Sequence, residues 1–503
     1  IREIGGIISD VRRKVNEVQE ELAAIDIKRI PKRLRASIAD GIRRADDTDA
    51  VLADAEAGFE ILPSVLGEDG SRTYLIIMQN PAEQRGTGGS ALRFSQLVID
   101  DGRPKLPRGK DVNLSVYDVD QDRRPFPDVE VPDDAWYQRV IPDSRRFGNA
   151  NFTPDWPTAA QLMLAYGQAA EPEFPEVDGM IAVDPLMLQN LMPGIGPFNT
   201  SYGNRISERR AVHFLLSRAY SAFGAKDEVR KAVLRTVVDR FYDRMIQPEH
   251  PTELMQGFGG SLAEKHMQIW LADPRAQAFI ERMNWDGGID PAKGSDYLNV
   301  VEQNVGGNKL DYFQSQAHEL NVRIDGDDAV NEVTVAVMNG AILPQHRYVM
   351  GDSGGLRGIH GRTRPMMNVY VPGTAELLDA TPEGELYPME AGAAAWDASG
   401  PPTYFEKGKK VWAVAFLIPA EESVSVTYDY EVPDVVQTRD GRRVYRLVLQ
   451  HQPKVHPEQM TIRFHLPEDA TDVRAPGWKR RGNVLVWERS IRTDLELEVS
   501  WQE

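Results

Sequence analysis

Apolar positions along the first sixty residues recur at helical spacing. Ile4, Ile8, Val11, Val15, Val18, Leu22 and Ile25 alternate steps of four and three, a sustained heptad seam. After Pro31 a second amphipathic run follows, with Leu34, Ile38, Ile42, Ala45, Leu52, Ala55 and Phe59 on one face. The spacing predicts a helical hairpin or a coiled-coil stalk over residues 1–62. Period and length fit an intramolecular hairpin and a homodimer contact equally well. From Arg72 the pattern turns mixed. Tyr74–Met78 is a continuous apolar run, and Leu92, Phe94, Leu97 and Ile99 mark a second strand at 91–99. A third strand is expected at 112–119, then a Pro- and Asp-rich loop to 145. TPDWPTAAQLMLAYGQAA opens a helix with Ala159, Leu162, Met163 and Tyr166 inward, and VDGMIAVDP reads as a strand. Two amphipathic helices, 206–223 and 227–246, and a further helical segment from Ser261 complete an α/β domain over 72–295. Residues 296–317 read as a connecting segment. Short β runs such as VNEVTVAVMN, KVWAVAFLIP and MTIRFHLP then predict an antiparallel β-sandwich over 318–503. The fold class is α+β, multidomain.

Composition narrows the chemistry. The 503 residues carry a net charge of −18 with Lys and Arg dispersed, which argues against a nucleic-acid partner. There is no cysteine, so disulfides, zinc–thiolate sites and thiol nucleophiles are excluded, and an oxidising, extracytoplasmic setting fits. No run approaches the eighteen apolar residues of a membrane span. The chain begins at Ile1 in mid-helix, which leads us to expect a membrane anchor upstream.

The densest candidate chemistry is QNPAEQRGTGGS, between the first two strands. Gln79, Asn80, Glu83, Arg85 and Thr87 crowd beside Gly86, Gly88 and Gly89. Glycines let the backbone turn and present N–H groups to an anion, and arginine supplies a forked cation for phosphate. A Gly-rich hairpin connection with a structural Glu83–Arg85 pair is the competing reading. In the helix pair, Arg218, Arg230 and Arg235 are either surface ion-pair formers or partners of Arg85 on one diphosphate. Asp118, Asp120 and Asp122 in YDVDQD offer oxygen ligands of the kind Mg²⁺ takes, or simply form an acidic loop. GDSGG at 351–355 imitates a serine-protease nucleophile loop, but no histidine in a matching context accompanies it. HExxH, Walker and GxGxxG signatures are absent, and GxSxG occurs only as that same GDSGG run.

Taken together, QNPAEQRGTGGS, FTPDWPTAAQLM, VDGMIAVDP, the helix pair and EQNVGGNKLDYF resemble domain-of-unknown-function family 4012, a group of bacterial envelope proteins with an N-terminal transmembrane segment. A more distant similarity is to the LytR–CpsA–Psr phosphotransferases, which move glycopolymers from polyprenyl diphosphate carriers. Arg85 and Thr87 stand where that family has an Arg-Ser-Asp-Thr segment. SRAYSAFGAKDEVRKAVLR places Arg218, Asp227, Arg230 and Arg235 at its later motif. Two of that family's carboxylates are missing here. The resemblance implies a membrane-anchored, extracytoplasmic protein that binds, and in the fuller case transfers, a phosphorylated polyprenyl-linked glycan. Glu83 and Arg85 would be catalytic. Gln79, Asn80, Thr87, Gly88, Gly89, Arg218, Arg230 and Arg235 would bind substrate, with Mg²⁺ as the one cofactor in view. The alternative is a non-catalytic scaffold of envelope polysaccharide assembly.

Overall fold

A computed structural model describes residues 2–25, 31–106, 112–113, 129–141, 144–170, 174–200, 203–223, 227–351, 361–387, 396 and 400–503. The protein is mixed α/β, and the described residues form several sheets and about ten helices. The YDVDQD acids, most of the expected 112–119 strand and positions 352–355 of GDSGG lie outside the described residues.

The two N-terminal helices, α1 (Arg2–Ala23) and α2 (Lys32–Val65), lie antiparallel. Arg12 bridges Asp49 and Glu56, and Gln19 donates to Asp46, which sets the register. The seam divides: Ile8, Val15 and Leu22 are half-buried, whereas Val11 and Val18 stay exposed with Ile7. Among the described residues no helix is long and apolar enough to cross a membrane.

The first sheet places strand β1 (Arg72–Asn80) between its antiparallel partner β2 (Ser90–Asp100) and the parallel strand Gly179–Val183. Met267–Leu271 closes the far edge antiparallel to Gly179–Val183. The sequence places this edge inside one helical segment. The structure instead has the helix Pro251–Ala263, that strand, then the helix Pro274–Arg282 capped by Asp273. MQIWL pairs because Gly179–Val183 offers it an unfilled edge, a tertiary influence that local pattern does not carry. Likewise the helix expected from 206 starts at Ala211, since Arg205–Ile206 pair with Phe198–Asn199. It contains a π turn at Phe214–Arg218.

One face of this sheet, with Leu75, Ile77, Phe94 and Met180, packs against the helix Trp156–Ala170 and against Tyr297, Met366, Tyr370 and Val411 of the C-terminal half. The opposite face is shared. Tyr74 and Leu271 meet α2 and Pro274–Arg282, while Val183 and Met267 face the helices Pro185–Ile195 and Asp227–Ile246.

The C-terminal half has a seven-stranded and an eight-stranded sheet, and one apolar cluster draws on both, including Val322, Val335, Trp412, Tyr428, Phe464 and Trp501. Its first strand, Asp296–Asn304, corrects the reading of 296–317 as a connector. It lies between Pro365–Pro372 and Arg442–Gln450 and is buried at every position. A strand covered on both faces shows no alternation, so the period-2 signal is missing.

Candidate functional site

The turn 81–89 between β1 and β2 is an internal junction. Arg85 is 5% exposed. Its Nη1 donates to the carbonyls of Gln84 and Asn304 at 2.9 Å, and its Nη2 reaches Glu83 at 3.2 Å and Asn149 at 3.3 Å. Its guanidinium lies 4.6 Å from the Phe152 ring centre. Lys309 takes the other Glu83 oxygen at 2.7 Å. Burial pushes the Glu83 carboxyl up, but Lys309 and Arg85 outweigh it and hold it below its ordinary range. A carboxylate so stabilised is a poor base.

The loop interlocks with EQNVGGNKLDYF. The Gln84 N–H donates to Asp311 at 2.8 Å, and the Asn304 N–H to the Gln84 carbonyl at 2.9 Å. Gln452 donates to the carbonyls of Arg85 and Glu302, both at 2.7 Å. FTPDWP wraps the other side. Asn151 donates to the Thr87 hydroxyl and the Gly89 carbonyl, and Gln79 also donates to Thr87 at 2.8 Å. The glycines serve close approach. A Cβ on Gly86 would sit 2.2 Å from the Thr153 carbonyl oxygen, and one on Gly89 would sit 2.4 Å from the Asn80 carbonyl carbon. The Gly88 N–H already donates to the Arg85 carbonyl at 2.9 Å.

The junction extends to Glu406, a buried carboxyl that accepts from Thr153 at 2.5 Å, Tyr370 at 2.7 Å and Trp136 at 3.0 Å. Burial pushes this group up to about 7. Nearby, Lys265 and His451 converge on Asp494 at 2.8 and 2.7 Å. Among the described residues no group of three His, Asp or Glu side chains is placed to hold a metal.

The expected convergence of Arg85, Arg218, Arg230 and Arg235 on one buried group does not occur. Arg218 ends the π turn and is exposed, as is Arg235 on Asp227–Ile246. The Asp227 side chain lies outside the described residues. Helical periodicity turns Arg218 and Arg235 outward, while internal carbonyls and Glu83 engage Arg85. Arg230 behaves differently. Its guanidinium lies 4.9 Å from the Tyr220 ring and 5.0 Å from the Tyr348 ring. The Asn80 amide reaches the Tyr220 hydroxyl at 3.4 Å, so Asn80 and Arg230 share a neighbourhood. Lys309, Tyr220 and Tyr348 were not singled out in the sequence. Lys309 falls within EQNVGGNKLDYF and Tyr220 within SRAYSAFGAKDEVRKAVLR, whereas Tyr348 carries no local signal.

Beneath the turn, between the sheet and its helices, lies a cavity of about 360 Å³. Ile76, Met78, Leu97 and Ile181 form its floor, and Leu188, Leu215, Val237 and Phe241 its roof. Among the described residues lining it, Gln79, Ser95, Asp184 and Tyr242 carry side-chain nitrogen or oxygen. A β-bulge after Met78 lets Gln79 line the same space as Met78. Asp184 caps Pro185–Ile195 through the N–H groups of Leu186 and Met187 and also holds His266 at 2.8 Å. Gln79 and Asp184 sit at the carboxyl ends of the two parallel strands, where α/β sheets commonly place ligands, whereas Ser95 lies opposite Ile76 and Tyr242 donates to the Pro104 carbonyl.

Comparison with known proteins bears on this α/β unit. Residues 69–220 match the model of a family described as a protein of unknown function, DUF4012, which supports that family reading over this segment. Among curated proteins nothing matches the chain. Among solved structures the chain has distant likenesses. A Legionella pneumophila protein described as nutrient-binding is 11% identical, with 41% of this chain and 70% of that one covered, at TM-score 0.24. An M1 zinc metallopeptidase from Deinococcus radiodurans is 12% identical, covering 38% and 42%, at TM-score 0.21. Leukotriene A4 hydrolase from Saccharomyces cerevisiae is 8% identical, covering 37% and 29%, at TM-score 0.20. The chain thus spans less than half of either hydrolase. Likenesses this low in TM-score carry no argument about this chain.

Proposed function

We propose that this protein binds a phosphorylated, polyprenyl-linked glycan outside the cytoplasm, as a membrane-tethered component of the cell envelope. The observation that carries the reading is the apolar cavity between sheet and helices, with Gln79 and Asp184 where the two parallel strands end. Burying a methylene is worth about 0.8 kcal/mol, so ten carbons of an isoprenoid in such a cavity would contribute on the order of 8 kcal/mol. Gln79 and Asp184 line the cavity, and Asn80 follows Gln79 towards Tyr220 and Arg230. The unit from Arg72 is read as LytR–CpsA–Psr-like, and the two C-terminal sheets as a β-sandwich that braces it. Carriage fits better than transfer, because Lys309 and Arg85 tie up Glu83, the expected base. Native mass spectrometry of protein taken from its own membranes is expected to show a co-purifying phospholipid-linked sugar. A bare chain that also takes up no polyprenyl phosphate from detergent would overturn this reading.

A second reading, a non-catalytic scaffold of polysaccharide assembly, is favoured by one observation: the Glu83–Arg85 pair sits inside a closed interdomain junction. On that reading the chain captures partner proteins and binds no lipid.

A further inference from the structure

We infer that Tyr220, Arg230, Lys309 and Tyr348 form a subsite for a sugar phosphate beside the end of β1; the ligand's class rests on the reading above. Four separate segments build it. Tyr220 comes from the helix Ala219–Phe223, Arg230 from Asp227–Ile246, Lys309 from the loop before Leu310–Phe313, and Tyr348 from the loop after Asp328–Asn339.

The two tyrosine rings stack at 5.5 Å with an interplanar angle of 20°. Tyr220 is buried, but Tyr348 is 36% exposed and opens the stack to solvent. An exposed, rigidly backed aromatic ring with a hydroxyl suits a sugar, which has both apolar C–H faces and polar edges. Val349, Leu310 and Ala341 pack with Tyr220 behind it and fix the platform. Arg230 lies near both rings and is half-buried. Stacking against an aromatic holds the guanidinium plane, and its N–H edge is the part that meets a phosphate bidentately. The Lys309 ammonium lies 5.6 Å from the Tyr348 ring. Lys309 and Arg85 share the one carboxylate of Glu83, so two cations with a single acid between them stand beside the platform. Aromatic platform and cations together select a phosphorylated sugar over either free sugar or bare phosphate.

Calorimetry with glucose 1-phosphate, glucose and inorganic phosphate tests this on the intact chain. Glucose 1-phosphate is expected to bind the wild type more tightly than inorganic phosphate does, with no detectable heat from glucose. Arg230→Ala and Tyr348→Ala should each weaken glucose 1-phosphate at least tenfold. Tyr348→Phe, which keeps the ring, should retain most of the affinity, and unaltered melting curves for the two alanine variants separate site loss from unfolding. No glucose 1-phosphate binding by the wild type, equal affinity for inorganic phosphate, or full affinity in both alanine variants would overturn the subsite. Farnesol, which carries neither sugar nor phosphate, probes the cavity alone. If farnesol fails to bind while the sugar phosphate results hold, the lipid reading falls and the subsite stands.

Discussion

Strand β1 ends in two regions built on opposite physical terms. Above it, the turn 81–89 is packed with charged and amide groups whose partners come from residues as distant as Asn304, Asp311 and Gln452. Below it, the cavity between Ile76 and Phe241 is walled almost entirely by hydrocarbon. Polar groups removed from water must be paired, so the turn is rigid and specified by many contacts at once. Apolar walls make no directional demand, so the cavity can accept a ligand without breaking a bond. A loop rich in Arg, Glu and Gly is therefore the part that cannot move, and the plain apolar strand face is the part able to bind.

That contrast is broken most severely at Arg85. Arg85→Ala would leave Glu83 and two carbonyls buried with fewer donors, and a loss of about 3–5 kcal/mol is expected in urea unfolding. A loss below 1 kcal/mol would show that the junction is not closed.

A next test uses pH. Burial, with Asp155 adding to it, pushes Glu406 up to about 7 from an ordinary 4.5, against donation from Thr153, Tyr370 and Trp136. The folded state then holds a proton between those values that the unfolded chain releases. Stability from this group falls as pH rises from about 4.5 to 7, by about 3 kcal/mol. Glu406→Gln should flatten that part of the pH profile, and an unchanged slope would remove Glu406 as its source. Glu83 contributes with opposite sign. Its lowered carboxyl stabilises the fold above the ordinary carboxylate range, and that contribution is lost as the acid limit is approached.

Gly86→Ala sharpens the comparison at the backbone. The added methyl meets the Thr153 carbonyl, and about 1–3 kcal/mol should be lost by denaturant midpoint. The smallest effect on stability belongs to the cavity. Leu215→Trp fills apolar space and should shift stability by less than about 1.5 kcal/mol while abolishing uptake of a polyprenyl phosphate. If both glycine and leucine variants behaved alike, the two regions would not differ as described.

Much of this architecture was legible from residue order. The helical hairpin follows from apolar spacing of three and four, and β1 and β2 from an apolar run and an alternation that flank a Gly-rich turn. The strand Gly179–Val183 follows from the apolar run inside VDGMIAVDP. The absence of cysteine closes off thiol chemistry without any coordinates. What local pattern does not hold is the identity of the partner. Asp296–Asn304 lost its alternation because sheet and helix layers cover both its faces. Met267–Leu271 became a strand because an edge was waiting for it. Whether Arg85 faces a ligand or a neighbouring carbonyl was decided by Asn304, more than two hundred residues away. Periodicity reports which side of an element is buried, since that depends on near neighbours. It is silent on what fills the space opposite, which only the folded chain determines.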